Sequence, residues 1–532
     1  MDPLKEMAWA LPDAVSLVSD GGRWTHGELD QEVEAMARRL AGAGARPGVR
    51  VVLVLPLRVE TVIAVHAVPR TGATLAPLNP RWTASELRTA LEALEPAVIV
   101  CDDSTSETVL QALRGTGGSW DPVGRGSPGG TGRFLLVTVD PAKDRSAAGV
   151  PGDTGGEEGE WLAVAPRTLE SVPPDPGPLT PLENEEVMAI LWTTGTAGRP
   201  RGVELTGHNL KESARAARKA LGLRTSDSWY ASLPVAHVGG LALVIRASVI
   251  GCRLVVRSSF RASDFNELVD AREVTHASLV PTMLLQALDD REDRPPPASL
   301  RCVLVGGAHT PMGLVTRALA CGFPLALTYG MTETTSQVAT APPQLVREKP
   351  GTVGSPLPGV QLRVPPGGGE IRVRGSTVAH RYFRRSATIA DGEGWFRTGD
   401  LGELDAQGHL WITGRLSDRI VTGGVNVDPA EVEAVLRRHP GVAEVAVLGI
   451  PDSLWGERVA AGVVPAPGSP SGALLATELE SLSREHLSSA KRPREIRILD
   501  ALPVGVGGKL DRAALRLALS DGGGGDSASG AT

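Results

Sequence analysis

An apolar run, Val187 to Leu191, leads directly into Trp192-Thr193-Thr194-Gly195-Thr196-Ala197-Gly198-Arg199-Pro200-Arg201-Gly202. A helical pattern opens after it, near Asn209. Few folds accommodate that succession. The apolar run reads as a buried strand, so hydroxyls, glycines and two arginines are expected on a loop at a strand's end. Glycines let a ligand approach the backbone, Thr193, Thr194 and Thr196 offer O–H donors, and Arg199 and Arg201 add fixed positive charge. That chemistry suits a polyphosphate. A solvated linker is the competing reading, and linkers are seldom bracketed by a strand and a helix. The spacing is not the Walker one, because no Gly-Lys-Ser/Thr follows four residues after a glycine.

The 532 residues exceed one ordinary core, so two or more domains are expected. Basic residues number 54 against 61 acidic, a net charge of −7, and no global field favours nucleic acid. Cys101, Cys252, Cys302 and Cys321 are far apart, without a C-x-x-C pair, and read as reduced thiols of a cytoplasmic protein. No basic stretch followed by an apolar core opens the chain, so no signal peptide is expected. The segment Ala231 to Val256 is interrupted by His237, Gly239-Gly240 and Arg246, and reads as core, with no membrane span.

Strand-like Val51 to Leu55, helical stretches around 59–68 and 83–94, and strand-like Ala97 to Cys101 alternate as in a parallel sheet covered by helices. Between Gly115 and Glu160 the composition shifts to Gly, Pro, Ser and Asp, an insertion holding one strand, Phe134 to Val139. Thr275 to Thr282 is a strand ending in a loop. Arg301 to Ala308 is a strand ending in glycines, followed by a helix from Met312, and it lacks the third glycine and the acidic residue of a dinucleotide fingerprint. His237, between apolar residues and a glycine pair, is either a satisfied core histidine or a ligand contact. Glu333, alone among the hydroxyls of Thr328-Tyr329-Gly330-Met331-Thr332-Glu333-Thr334-Thr335-Ser336, is either a solvated carboxylate or a holder of a largely hydrated Mg²⁺. Asp400 is either a turn aspartate or an acceptor for a ribose diol. Short glycine-punctuated strands over about 351–414 suggest a β subdomain, and the texture changes again at Arg415. There Asp428-Pro429-Ala430-Glu431 starts a helix to about Arg438, a strand runs from Val442 to Leu448, and a second helix covers Ala476 to Ser489. Lys509, at the tip of a glycine loop, is either solvated or reaches into another domain's site. The tail 520–532 has a disordered composition.

Taken in order, these stretches resemble the adenylate-forming acyl-CoA synthetase superfamily, from about Ala10 to Leu517 apart from the insertion. The loop matches that family's Thr-Ser-Gly-Thr-Thr-Gly-x-Pro-Lys-Gly with Thr194, Ala197 and Arg201 as the changes. The fold implied is α/β: a large N-terminal domain of helix-covered sheets over 1–414 including the β subdomain, and a small mobile α+β C-terminal domain over 415–519. ATP, Mg²⁺ and coenzyme A are the implied cofactors and co-substrates. By the resemblance the loop from Thr193 to Arg201 (Gly195 and Gly198 included) cradles phosphate. Gly307 and Ala308 line the adenine pocket with Thr328 and Gly330 beside them, and Tyr329 stacks on the base. Thr332 contacts the α-phosphate, Glu333 holds Mg²⁺, and Asp400 with Arg415 binds the ribose. Lys509 bridges carboxylate and α-phosphate during adenylation, Ser417 is the hinge, and Gly423-Gly424 swings in for the second half-reaction. No Ser-His-Asp or Cys-His arrangement is evident, and an ionised carboxylate nucleophile needs none.

Within the superfamily, Leu233 to Leu241, Thr275 to Leu284 and Tyr329 to Gln337 look closest to the o-succinylbenzoate–CoA ligases of menaquinone biosynthesis. His237, Ser278, Thr282, Gly306 and Ser336 are the implied pocket residues for that aromatic keto acid, whose second carboxylate must be paired or solvated. Two other readings stay open: a CoA ligase for another aryl or medium-chain fatty acid, and a catalytically degenerate nucleotide-binding relative. The expected partners are a small carboxylic acid, ATP and coenzyme A, with no nucleic acid and no membrane span; a homodimer is left open.

Overall fold

The computed structural model describes residues 2–114, 135–138, 167–193, 201–308, 310, 312–415, 420–427, 429–469, 472–503 and 512–520. The loop residues Thr194 to Pro200, Ser417, Asp428, Lys509 and the tail lie outside them, as do the side chain of Arg415 and nearly all of the insertion. Of that insertion Leu135–Thr138 is described, and it is the expected strand.

Two sheets dominate. The first has seven strands in the order Arg167–Thr168, Leu135–Thr138, Val98–Cys101, Arg50–Val54, Thr74–Pro77, Val187–Thr193, Arg201–Thr206, parallel except for the last pair. The second has nine, in the order Ser355–Pro356, Ser336–Ala341, Leu325–Met331, Cys302–Val305, His276–Leu279, Ser228–Ala231, Arg253–Val256, Val15–Ser19, Gly22–Thr25. Its six central strands are parallel. Strand periodicity distributes the core. Val51 and Leu53 join Trp229 and Leu254 of the other sheet in one cluster, through the helices His26–Gly42, Val59–Arg70 and Val238–Ile250. Val52 and Val54 point to the opposite face, onto the helices Ala84–Leu94 and Asp103–Arg114.

Two corrections concern segments next to the site. The phosphate loop does not run from strand to helix. It joins two antiparallel strands, because Val203 and Leu205 are fully buried and pull Arg201–Thr206 into the sheet. The helix Gly207–Leu221 starts only after Thr206, whose side chain and that of Asn209 cap each other's backbone. The strand expected to run through Thr282 stops at Leu279, and Pro281 opens the helix Pro281–Asp290, with its fixed φ at the first turn.

A four-stranded antiparallel sheet follows, Val360–Arg363, Gly369–Gly375, Phe396–Leu404 and Leu410–Arg415. Beyond it a five-stranded sheet is built on the long hairpin Val442–Asp452 and Gly456–Pro465. Val445 and Val447 face the helices Pro429–Leu436 and Gly472–His486, while Ala446 and Leu448 face the helix Arg512–Ser520. The second of these helices starts four residues before the expected Ala476.

Candidate active site

Parallel strands of the nine-stranded sheet end together, and there the sequence candidates converge, as ligands do in open α/β sheets. Gly306 and Gly307 follow Cys302–Val305, and Thr328 to Gly330 close Leu325–Met331 beside it. The approach is close: a Cβ on Gly306 would lie 2.6 Å from Thr328 Cγ2. Gly307 has φ +82°, a left-handed conformation suited to glycine. Thr328 Oγ1 is engaged with the Ala339 carbonyl at 3.0 Å and with Thr340 Oγ1 at 2.9 Å. Ala308 is half-buried next to Gly307.

Tyr329 is nearly buried, and its hydroxyl donates to Asp400 Oδ2 at 2.9 Å. That bond ties the base-stacking candidate to the ribose candidate. Asp400 sits in Phe396–Leu404 directly opposite Arg415 in strand register, so the backbone brings those two positions together as well. A Cβ on Gly330 would fall 1.6 Å from the Ser336 carbonyl oxygen, so only glycine fits there. Thr335 and Ser336 themselves have φ of 52° and 84°. Two adjacent non-glycine residues at positive φ are strained, and they are held by bonds from Ser213 Oγ to the Thr335 carbonyl and from Thr335 Oγ1 to the Thr377 carbonyl.

Glu333 lies in the short 3₁₀ turn Thr332–Thr334. Its Oε1 accepts from the Tyr382 hydroxyl at 3.2 Å, and the Arg201 guanidinium lies 5.4 Å from the centre of the Tyr382 ring. Tyr382 is placed by a strand-like graft: Phe383 N–H donates to the Gly202 carbonyl at 2.7 Å, and Arg381 pairs with Glu204 at 2.6 Å. Burial, then the adjacent Glu333 carboxylate, raises the Tyr382 phenol above its ordinary value. Sequence reasoning did not single out Tyr382. The chain has only three tyrosines, and the convergence of two of them here is the signal that was available. Among the described residues no group of three or more His, Cys, Asp or Glu side chains could hold a metal. A lone tethered Glu333 fits a Mg²⁺ whose other ligands are phosphate and water. Thr193 Oγ1 donates to the Arg201 carbonyl at 3.4 Å, which fixes the base of the phosphate loop.

The expected acid pocket is less uniform. Ser278 is buried and its Oγ accepts from Trp229 Nε1 at 3.0 Å. Thr282 and Ser336 are half-buried. His237 precedes the helix Val238–Ile250 and keeps solvent access within a crowded recess; that desolvation, then the charges of Lys491 and Arg81, depresses its imidazole. One residue was read only as an interruption of an apolar run. Arg246 is 2% exposed, its guanidinium lies 5.2 Å from the Trp229 ring centre, and its Nε has no hydrogen-bond partner among the described residues. Burial pushes it down to about 10. Gly423 and Gly424, at φ +55° and +78°, turn between Ile420–Thr422 and Val425–Val427. A Cβ on Gly424 would lie 3.0 Å from Val280, so this turn reaches the same strand ends.

The AMP-binding enzyme family matches residues 4–383, and the AMP-binding enzyme C-terminal domain matches residues 431–509. The chain belongs to the AMP-binding enzymes. A 2-succinylbenzoate–CoA ligase of Bacillus licheniformis is 33% identical over 522 residues, 96% of this chain and 98% of the relative. A double mutant of o-succinylbenzoate CoA synthetase from Bacillus subtilis, bound with its product analogue, superposes with TM-score 0.81 at 30% identity, covering 98% of each chain. The acyl-adenylate complex of that Bacillus subtilis synthetase gives TM-score 0.66 at 30% identity, covering 97% of this chain and 98% of its own. Amide bond synthetase McbA of Marinactinospora thermotolerans gives 0.82 at 27% identity, covering 97% and 99%. Like its sheets and helices, this AMP-binding enzyme's described helices are of globular length: none is long and apolar enough to cross a membrane.

Proposed function

We propose that this AMP-binding enzyme is a carboxylate–CoA ligase that converts o-succinylbenzoate, ATP and coenzyme A into o-succinylbenzoyl-CoA, AMP and diphosphate. The choice of acid rests on Arg246. A guanidinium buried in an otherwise apolar helix, without an ion pair among the described residues, needs an anion to compensate it. A dicarboxylic acid supplies one carboxylate for activation and a second for that cation. Monocarboxylic aryl and fatty acids leave it uncompensated. The matched relatives named for o-succinylbenzoate agree with this choice. The product would enter menaquinone biosynthesis, and the free cysteines support a cytoplasmic setting.

Under this reading the roles divide by strand end. Tyr329, Gly307 and Ala308 bound the adenine, with Thr328 and Gly330 shaping its edge, and Asp400 with Arg415 takes the ribose hydroxyls. Thr332 meets the α-phosphate, and the loop from Thr193 to Arg201 holds the outer phosphates. Glu333, oriented by Tyr382, would hold Mg²⁺, which when bound offsets the charge of the diphosphate leaving group. Lys509 lies between acid carboxylate and α-phosphorus, where two anions must meet. The carboxylate is already ionised, so its oxygen attacks phosphorus without a general base. His237, Ser278, Thr282, Gly306 and Ser336 border the acid. We divide the chain at 414/415, with 415–519 moving between half-reactions to exchange Lys509 for the Gly423-Gly424 turn. The better superposition on the product-analogue complex supports the latter arrangement in this structure.

The test is ATP-dependent diphosphate release with a panel of acids, with and without coenzyme A, alongside Lys509→Ala. Selective turnover of o-succinylbenzoate that disappears in the variant is expected. Preferred turnover of a benzoate or a fatty acid contradicts the substrate, and nucleotide binding without release from any acid contradicts the reaction.

A further inference from the structure

Lys491 touches neither the nucleotide candidates nor the acid pocket, yet it is 4% exposed. Its Nζ lies 2.7 Å from Glu431 Oε1 and 3.2 Å from Glu86 Oε1, with the Trp82 ring centre 5.7 Å away. Burial alone depresses a lysine, but the two carboxylates outweigh it and raise this one. The two partners come from different parts of the chain. Glu431 is on Pro429–Leu436, in the same module as Lys491. Glu86 is in the first turn of Ala84–Leu94, which packs on the seven-stranded sheet.

Glu86 has two tasks, one per oxygen. Its Oε2 accepts from Thr83 N–H at 2.9 Å and Thr83 Oγ1 at 3.1 Å, completing the cap of its own helix. Its Oε1 accepts from Lys491 and from the backbone N–H of Ser488 at 3.1 Å. His486 Nδ1 adds a contact 3.4 Å from Ser85 Oγ. At the other end of the same interface Gly424 packs toward Val280.

We propose that Glu86 is the docking acceptor that positions the C-terminal module for the thiol half-reaction, with Lys491, steadied by Glu431, as the group it captures. The inference rests on the ligase reading above. The asymmetry of the triad makes the contact reversible. When the module swings away, Lys491 leaves together with Glu431 and no buried charge is orphaned, while Glu86 remains bonded to its helix cap. Docking then adds charge-assisted bonds that exist in one orientation only. A pair with no third partner would strand a charge at every cycle.

The experiment measures the two half-reactions separately in Glu86→Gln and Lys491→Met. Glutamine keeps the capping geometry and methionine keeps the apolar stem, so both variants should melt within a few degrees of the parent. Acid-dependent ATP–diphosphate exchange without coenzyme A should stay within twofold. Transfer of the acyl group from preformed adenylate to coenzyme A should slow at least tenfold in each variant, and no further in the double variant. Transfer at the parent rate, or a parallel loss in both half-reactions, overturns the clasp. A parent protein that exchanges with no acid overturns the ligase reading and the clasp with it.

Discussion

Arg246 is where burial and charge conflict most directly, and its environment says what it is for. A charge-assisted bond to a buried guanidinium contributes roughly 1.5–3 kcal/mol, or on the order of tenfold to a hundredfold in affinity. Arg246→Met should therefore raise KM for o-succinylbenzoate by at least about tenfold, leaving KM for ATP unchanged. Equal sensitivity of both constants would place the residue in the scaffold. Tyr382→Phe removes the hydroxyl that Glu333 accepts from. Half-saturation by Mg²⁺ should rise severalfold with the protein equally stable; an unchanged Mg²⁺ dependence would leave Tyr382 no part in orienting Glu333. These two residues also mark the limit of legibility. Tyr329, Glu333 and Asp400 could be read because each closes a strand within a recognisable run. Arg246 and Tyr382 act on partners remote in sequence, Trp229 and Glu333, and no local pattern announces a contact of that kind.

The hairpin of Leu325–Met331 with Ser336–Ala341 carries more of the site than any other element. It holds Tyr329 toward Asp400 and Glu333 toward Tyr382, through a bulge at Tyr329/Gly330 and two strained residues. Gly330→Ala forces a methyl into the Ser336 carbonyl, and a clash with backbone cannot relax by a rotamer change. A loss of about 3 kcal/mol or more is expected in denaturant unfolding, together with loss of acid-dependent exchange. A loss below about 1 kcal/mol would show that the hairpin yields. Parallel strands and their helices were legible as elements because each is a short apolar run bounded by glycine or a capping pair. The strand Arg201–Thr206 was not, since Glu204 within it is balanced by Arg381 and only tertiary pairing reveals why a carboxylate is tolerated there.

At the scale of the whole molecule, the interlayer core holds titratable groups that bear on stability. Burial pulls His66 down to about 4, against an ordinary value of 6.5. Between those values the unfolded chain binds a proton that the folded chain refuses. The contribution is complete above pH 6.5 and is lost as pH falls towards 4, up to about 3 kcal/mol. Tm should fall on acidification from pH 7 to pH 5, and His66→Gln should flatten that slope; an unchanged slope would contradict a buried neutral imidazole. The mobility of the C-terminal module and its Glu86 contact are properties of two modules together, which is why the sequence suggested the first and was silent on the second.

The central claim is that one oxygen of the acid ends on phosphorus. The carboxylate oxygen that attacks the α-phosphorus stays there when the thiol displaces AMP at the acyl carbon. Turnover of o-succinylbenzoate labelled with ¹⁸O in the reacting carboxylate, with mass analysis of the nucleotide, reads this directly. The account predicts AMP carrying one label and unlabelled diphosphate; unlabelled AMP, or label in inorganic phosphate with ADP formed, would contradict it.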